Sequence, residues 1–204
     1  DLDLKIFGVT GTNGKTSTAI YLHRLLEQMG VPSGLSSSAL SLVAGEAVAG
    51  DLTTPEAPRL HWLLSEMAKS GAKAAVIEVS AQALVRNRVD GVLFDIAGFT
   101  NLSRDHLDDF DSMQDYLRAK SRLFTNQFSK RSVINCEDQF GGDMLQLVES
   151  KAVGIGQSLD YQAQEVDGSL VVQGKATLSA SANLGALMSK NLGLAVVMLL
   201  EAGF

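Results

Sequence analysis

Gly11, Thr12, Asn13, Gly14, Lys15, Thr16 and Ser17 form a glycine-rich turn that runs into lysine and threonine. The turn follows an apolar run at residues 4–9 and precedes an amphipathic run at residues 17–29. A strand, such a turn and a helix make a phosphate cradle. The glycines let backbone N–H groups converge on an anion, and the helix N-terminus adds its positive end. Lys15 would reach the terminal phosphates, and the Thr16 hydroxyl would face a magnesium ion. Strict phosphate-loop spacing asks for glycine where Val9 stands, and Gly8 lies one place early. The match is therefore to a variant loop.

Other polar residues fall where strands should end. Glu78 closes an apolar run at residues 74–77. A carboxylate there could hold magnesium directly or through water; a polar cap for the next helix is the other reading. A second run, at residues 94–99, leads into Thr100, Asn101, Ser103, Arg104, Asp105, His106 and Asp108. His106 could ligate a metal with Asp105 or Asp108 orienting it, although a lone histidine more commonly has a structural role. His23 and His61 sit on helical segments and keep that structural reading, and no zinc-type cluster is present. Thr53, Thr54 and Pro55 precede a helix. Simple capping, with Pro55 in the first helical position, competes there with substrate binding. The run Ser36, Ser37 and Ser38 reads as loop chemistry with a ligand contact open to it. Lys120 lies on a helix, and its residue type alone does not separate it from a surface lysine.

The elements that must position these groups alternate. Strands are expected at 4–9, 74–77, 94–99 and 132–135, and helices at 17–29, 55–70, 112–124, 139–148 and 185–202. Gly30 and Gly71 end the first two helices, and Ser112 or Asp111 caps the third. Residues 33–54 read as a loop with short strands. Alternation at 169–172 and 176–178, around Gly174 and Lys175, predicts antiparallel strands within 152–180. The fold class is α/β: a mostly parallel phosphate-loop sheet with helices on both faces, plus a small antiparallel β portion. Ligands in such folds sit at the carboxyl ends of the strands, where each of the polar groups above falls.

Composition bounds the function. The chain has 204 residues, 46% of them hydrophobic and 20% charged, which suits one globular domain. A net charge of −6 argues against a broad nucleic-acid surface but not against one nucleotide. Cys136 stands alone, so no intrachain disulfide forms, and a cytoplasmic location is the expectation. No stretch reads as a signal peptide or membrane span. No Asn-Lys-x-Asp run for reading guanine is present. The start at Asp1 and the stop after a C-cap glycine suggest a domain, residues 1–204, excised from a longer protein.

Taken together, these residues resemble the central ATP-binding domain of the Mur ligases, enzymes of peptidoglycan synthesis. The resemblance lies in Gly11 to Thr16, Thr53-Thr54-Pro55-Glu56, Glu78-Val79-Ser80, Phe99 to Leu102 with Asp105 to Asp108, and Tyr116 to Lys120, in the family's order and spacing. It covers nearly the whole chain and is weakest over 140–182. Thr-Thr-Pro-Glu and Arg88-Val89-Asp90-Gly91 look most like the ligases adding the third residue, L-lysine or meso-diaminopimelate, to UDP-MurNAc-L-Ala-D-Glu.

The resemblance implies an ATP-dependent, ADP-forming ligation through an acyl phosphate. It assigns Lys15, His106 and Lys120 to catalysis, and the residues from Gly11 to Ser17 with Asn101 and Asn191 to the nucleotide. It assigns Thr16, Glu78, His106 and Lys120 to magnesium, and Thr53, Thr54, Ser80 and Arg88 to the UDP-sugar. It also implies a carbamylated Lys120. Freeing a lysine amine near neutral pH costs about 4 kcal/mol, which metal contact with the new anion would help offset. It implies N- and C-terminal partner domains in the same polypeptide, without which this domain would not complete the reaction. Three positions depart from the pattern. Ser80-Ala81-Gln82 replaces Ser-Ser-His, Asp109-Phe110 replaces an aromatic-histidine pair, and Met188 replaces the first of two asparagines, leaving Asn191. Another ligase of the superfamily, such as folylpolyglutamate synthase, or a nucleotide-binding module without catalysis, stays open as an alternative.

Overall fold

The computed structural model describes residues 3–50, 52–104, 109–174, 177–181 and 185–204. Its strands are β1 (Lys5–Thr10), β2 (Ser33–Ser36), β3 (Ser41–Val43), β4 (Glu46–Ala47), β5 (Ala74–Glu78), β6 (Phe94–Phe99), β7 (Ser129–Asn135), β8 (Lys151–Ile155), β9 (Gln162–Val166), β10 (Ser169–Gln173) and β11 (Leu178–Ser181). Its helices are α1 (Lys15–Gln28), α2 (Ala57–Lys69), α3 (Ala81–Val85), α4 (Met113–Ser121), α5 (Gly141–Leu147) and α6 (Ala186–Glu201).

The described strands make an eight-stranded sheet in the order β4-β3-β2-β5-β1-β6-β7-β8 and a three-stranded sheet, β11-β10-β9. From β2 to β8 the large sheet is parallel, and β3 and β4 add an antiparallel edge. The chain moves from β1 outward to β2, returns through β5 to one flank of β1, then crosses to β6 on the other. That reversal opens a crevice at the carboxyl end of β1, between β5 and β6. Register places Val9 beside Glu78 and Thr10 beside Phe99, so the turn after β1 rises between the polar ends of both neighbours.

Two buried clusters cover the two faces. Leu60, Leu63, Leu64 and Met67 of α2 fall at helical spacing and pack with Ile77, Phe94 and Phe124. Leu22 and Leu26 of α1 pack on the other face with Leu194 and Met198 of α6 and with Tyr161 and Leu170 near the small sheet. Strand alternation then sorts the chemistry. Val76 belongs to the α1 face and Ile77 to the α2 face, so Glu78 returns to the α1 face.

The structure corrects three expectations of detail. Helix α2 starts at Ala57 with Glu56 as its N-cap, not at Pro55 with Thr54. Thr54 is drawn away: its Oγ1 donates to the Glu78 carbonyl at 2.8 Å and accepts from the Ser80 N–H at 2.9 Å. The 152–180 stretch is divided, because β8 pairs with β7 in parallel and only β9, β10 and β11 form the antiparallel portion. Helix α3 was not anticipated, since five residues are too few to show a helical period.

Gly8 serves packing rather than phosphate. A Cβ there would stand 2.8 Å from the ring of fully buried Phe94. Gly8→Val should therefore destabilise the protein by about 1–3 kcal/mol through overpacking. Thermal unfolding would show a lowered Tm, while nucleotide affinity measured below that Tm stays native.

Candidate functional site

The turn after β1 is clamped from both sides. The Asn13 N–H donates to Asn101 Oδ1 at 3.0 Å, and the Asn13 carbonyl accepts from Asn101 Nδ2 at 2.9 Å and Thr100 Oγ1 at 2.7 Å. The Thr12 N–H reaches the Asn101 carbonyl at 2.9 Å, and Thr12 Oγ1 accepts from the Ser103 N–H at 3.1 Å. Asn135, at the end of β7, braces this clamp by donating to the Thr100 carbonyl at 2.9 Å. Gly11 permits the approach, since a Cβ there would run into Thr100 Oγ1. Gly14 caps α1 at φ 85, a left-handed conformation that suits glycine, and lies against the Asn191 side chain. Buried Asn191 thus stands beside the loop. Ser17 lies in the first turn of α1.

Oxygen ligands gather where α1 begins. Thr16 Oγ1 donates to Glu78 Oε2 at 3.0 Å. Ser38 gives the same oxygen its N–H at 2.9 Å and its hydroxyl at 3.2 Å, and its Oγ stands 3.0 Å from Thr16 Oγ1. Two hydroxyls and one carboxylate are hard donors that suit magnesium bound partly through phosphate and water. Among the described residues, no group of three or more His, Cys, Asp and Glu stands ready to bind a metal. Ser38 is the member that sequence reasoning left undecided. Its one signal was a hydroxyl-rich run just past a strand.

Two lysines occupy adjacent carbonyls of the turn. Lys15 Nζ donates to the Thr12 carbonyl at 2.8 Å, and Lys120 Nζ to the Gly11 carbonyl at 2.7 Å. Lys120 is 1% exposed, so it is no surface lysine. Its ammonium lies 4.3 Å from the centre of the Tyr116 ring. Burial, and then the Lys15 charge, hold its pKa well below the ordinary lysine value of 10.5. The ring face favours the charged form, but loss of water outweighs it.

Beside these lysines lies a cleft of about 350 Å³ whose walls include Lys15, Thr53, Ser80, Gln82, Arg88 and Lys120. Thr54 is fully buried and presents no surface there; it fixes Ser80 instead. Ser80 in turn caps α3, accepting from the Ala83 N–H at 3.1 Å. Arg88 pairs with Glu56 at 2.7 Å and donates to the Thr54 carbonyl at 3.3 Å, which ties the Thr-Thr-Pro-Glu segment to the chain just beyond α3. A larger cavity of about 720 Å³ lies at the opposite, amino ends of the central strands, around Leu4, His61 and Asp95, away from this chemistry. His106, with Asp105 and Asp108, lies outside the described residues. His23 contacts Ser33 Oγ at 2.8 Å and His61 the Asp90 carbonyl at 2.9 Å, both structural contacts. Met188 accepts from the Tyr21 hydroxyl at 3.5 Å.

Residues 9–197 match the Mur ligase middle domain. A UDP-N-acetylmuramyl-tripeptide synthetase of Leifsonia xyli is 42% identical over 215 residues, covering 98% of this chain and 41% of the relative. A UDP-N-acetylmuramoyl-L-alanyl-D-glutamate–2,6-diaminopimelate ligase of Caldanaerobacter subterraneus is 40% identical over 169 residues, covering 82% of this chain and 35% of the relative. A solved structure of a ligase with that same activity name superposes with a TM-score of 0.87 at 27% identity, covering 98% of this chain and 44% of the other. The structure of E. coli FolC in complex with DHPP and ADP shares the fold, with a TM-score of 0.75 at 19% identity, covering 98% of this chain and 53% of the other. This chain belongs to the Mur ligase family, as its middle domain. It spans less than half the length of the curated relatives described.

The lowered Lys120 pKa sets a stability trend. Below 10.5 the unfolded chain takes up a proton that the folded chain resists, so stability is lost as pH falls from there toward the folded pKa and regained as it rises. In bicarbonate-free buffer, denaturant titrations should show native stability rising with pH through the alkaline range relative to Lys120→Met. Parallel curves would contradict the buried ammonium.

Proposed function

We propose that this middle domain supplies the ATP site of a ligase that adds L-lysine or meso-diaminopimelate to UDP-MurNAc-L-Ala-D-Glu. The observation that carries the reading is convergence. Lys15 and Thr16 of α1, Glu78 of β5 and Lys120 of α4 meet at one glycine-rich turn beside a basic cleft. The identities of the relatives favour the Mur reaction over folate chemistry, for which the likeness is one of fold.

In this reading the amides of residues 11–16 and Lys15 hold the triphosphate. Lys15 neutralises charge developing on the transferring phosphoryl group. Thr16 and Glu78, with Ser38, would hold magnesium, which would supply charge neutralisation for the phosphates when bound. His106 and Lys120 would serve a second ion. Thr53, Ser80 and Arg88 line the wall that would orient the substrate carboxylate, with Thr54 fixing their backbone. That carboxylate oxygen attacks the γ-phosphorus and ADP leaves. The incoming amine then attacks the acyl carbon, phosphate leaves, and the amine nitrogen gives up its proton. Asn101 and Asn191 keep the nucleotide side of the turn in place.

Lys120 has the setting for carbamylation. Its lowered pKa makes the neutral amine more available to add carbon dioxide, forming an N–C bond and releasing a proton. The N-terminal domain would hold the uridine end, and the C-terminal domain would bring the diamino acid. Among the described residues, no helix is long and apolar enough to cross a membrane, and the nucleotide-sugar substrate fits cytoplasmic work.

The full-length protein should release ADP in step with amide formation when given UDP-MurNAc-L-Ala-D-Glu, Mg-ATP and one of the two diamino acids. It should do nothing with a folate and glutamate. Lys15→Ala should lower kcat/KM by about a thousandfold, the scale of losing a central charge-stabilising group. Native affinity and rate in that variant would remove the reading. Separately, 13C-bicarbonate should give a carbamate NMR resonance that Lys120→Arg abolishes; the same resonance in the variant would place the adduct elsewhere.

A further inference from the structure

Two of the departures from the family pattern meet in space. Gln82, where the pattern has histidine, donates through Nε2 to Asp109 Oδ2 at 2.8 Å, where the pattern has an aromatic residue. Gln82 belongs to the first turn of α3, which Ser80 caps at the end of β5. Asp109 belongs to the segment that enters α4, whose own cap, Ser112, accepts from the Asp115 N–H at 3.1 Å. The next residue, Phe110, packs its ring 4.8 Å from that of Tyr116, and Tyr116 carries the Lys120 ammonium over its face. Gln82, Asp109, Tyr116 and Lys120 all border the same cleft.

We propose that Gln82 and Asp109 are a positioning pair, whose hydrogen bond ties the segment entering α4 to α3 and so sets Lys120 in the cleft through Phe110 and Tyr116. The pair touches no reacting atom. Its effect reaches the site through the rings, so its loss should slow turnover more than it weakens nucleotide binding. The kinetic test rests on the ligase reading; a second measurement does not.

In the full-length enzyme, Gln82→Ala and Asp109→Ala should each lower kcat about fivefold with KM for Mg-ATP within about twofold of native, and the double variant should be no slower than either. Gln82→Glu with Asp109→Asn reverses donor and acceptor at unchanged side-chain length. It should bring kcat back to within about twofold of native. Losses that multiply in the double variant, a loss confined to Asp109→Ala, or a reversed pair no better than the single variants would overturn the proposal. Hydrogen exchange at the amides of residues 110–116 in the nucleotide-free protein decides the matter without any activity. Exchange about fivefold faster in each single variant and restored in the reversed pair supports the pair. Native exchange in both single variants overturns it. Absence of ligation by the native protein would defeat the ligase reading and leave this second result intact.

Discussion

The shape of four residues, 11–14, depends on how their backbone groups are held. A turn that must point N–H groups at an anion cannot satisfy those groups within itself. Its carbonyls and flanks need partners from elsewhere, or the turn collapses onto its own polar atoms. Here the partners come from the end of β6. Asn101 engages both backbone groups of Asn13, and Thr100 adds a second donor to the same carbonyl. Asn135 of β7 fixes Thr100 in turn. The cradle is therefore a property of three adjacent strand ends. The strand order that brings β6 beside β1 is as necessary to it as the glycines.

The same turn divides the chemistry between the faces of the sheet. Glu78 looks toward α1, where it meets Thr16 and Ser38. Lys120 comes from α4 on the other face and meets the turn at the Gly11 carbonyl. One residue along, Lys15 holds the Thr12 carbonyl. Two ammonium groups on consecutive carbonyls repel each other, and burial adds to the cost for Lys120. An anion seated on the turn would neutralise one charge, and conversion of Lys120 to an anion would remove the other. In the proposed reading, that repulsion would favour an anion bound on the turn and a modified Lys120.

Much of this could be read from the chain because the strongest signals are local. Gly11 to Ser17 between a strand and a helix required no tertiary information, and Glu78 at the end of an apolar run required only the rule that ligands gather at strand ends. Lys120 did not stand out from its residues alone, because a helical lysine looks solvated until something covers it; family likeness singled it out. Thr54 shows the opposite failure. Its place before a proline suggested a cap, but a long-range bond to the Glu78 carbonyl won, and the helix began later at Ala57. Helix α3 and the parallel pairing of β8 depend on tertiary packing around short segments, where periodicity has too few residues to register.

Thr54 also explains why the cleft has a defined wall. Its hydroxyl both donates to the Glu78 carbonyl and accepts from the Ser80 N–H, so one side chain joins the backbone of Glu78 to the residue that caps α3. Arg88, returning from beyond α3, grips the Thr54 carbonyl and Glu56 on the same segment. The Thr-Thr-Pro-Glu stretch is thereby locked to β5 at one end and to the chain beyond α3 at the other. Thr53, between these anchors and the solvent, takes its orientation from them. The spacing of that motif is thus set by a structural demand before any substrate arrives: one buried hydroxyl must reach two backbone groups while its neighbour faces the cleft.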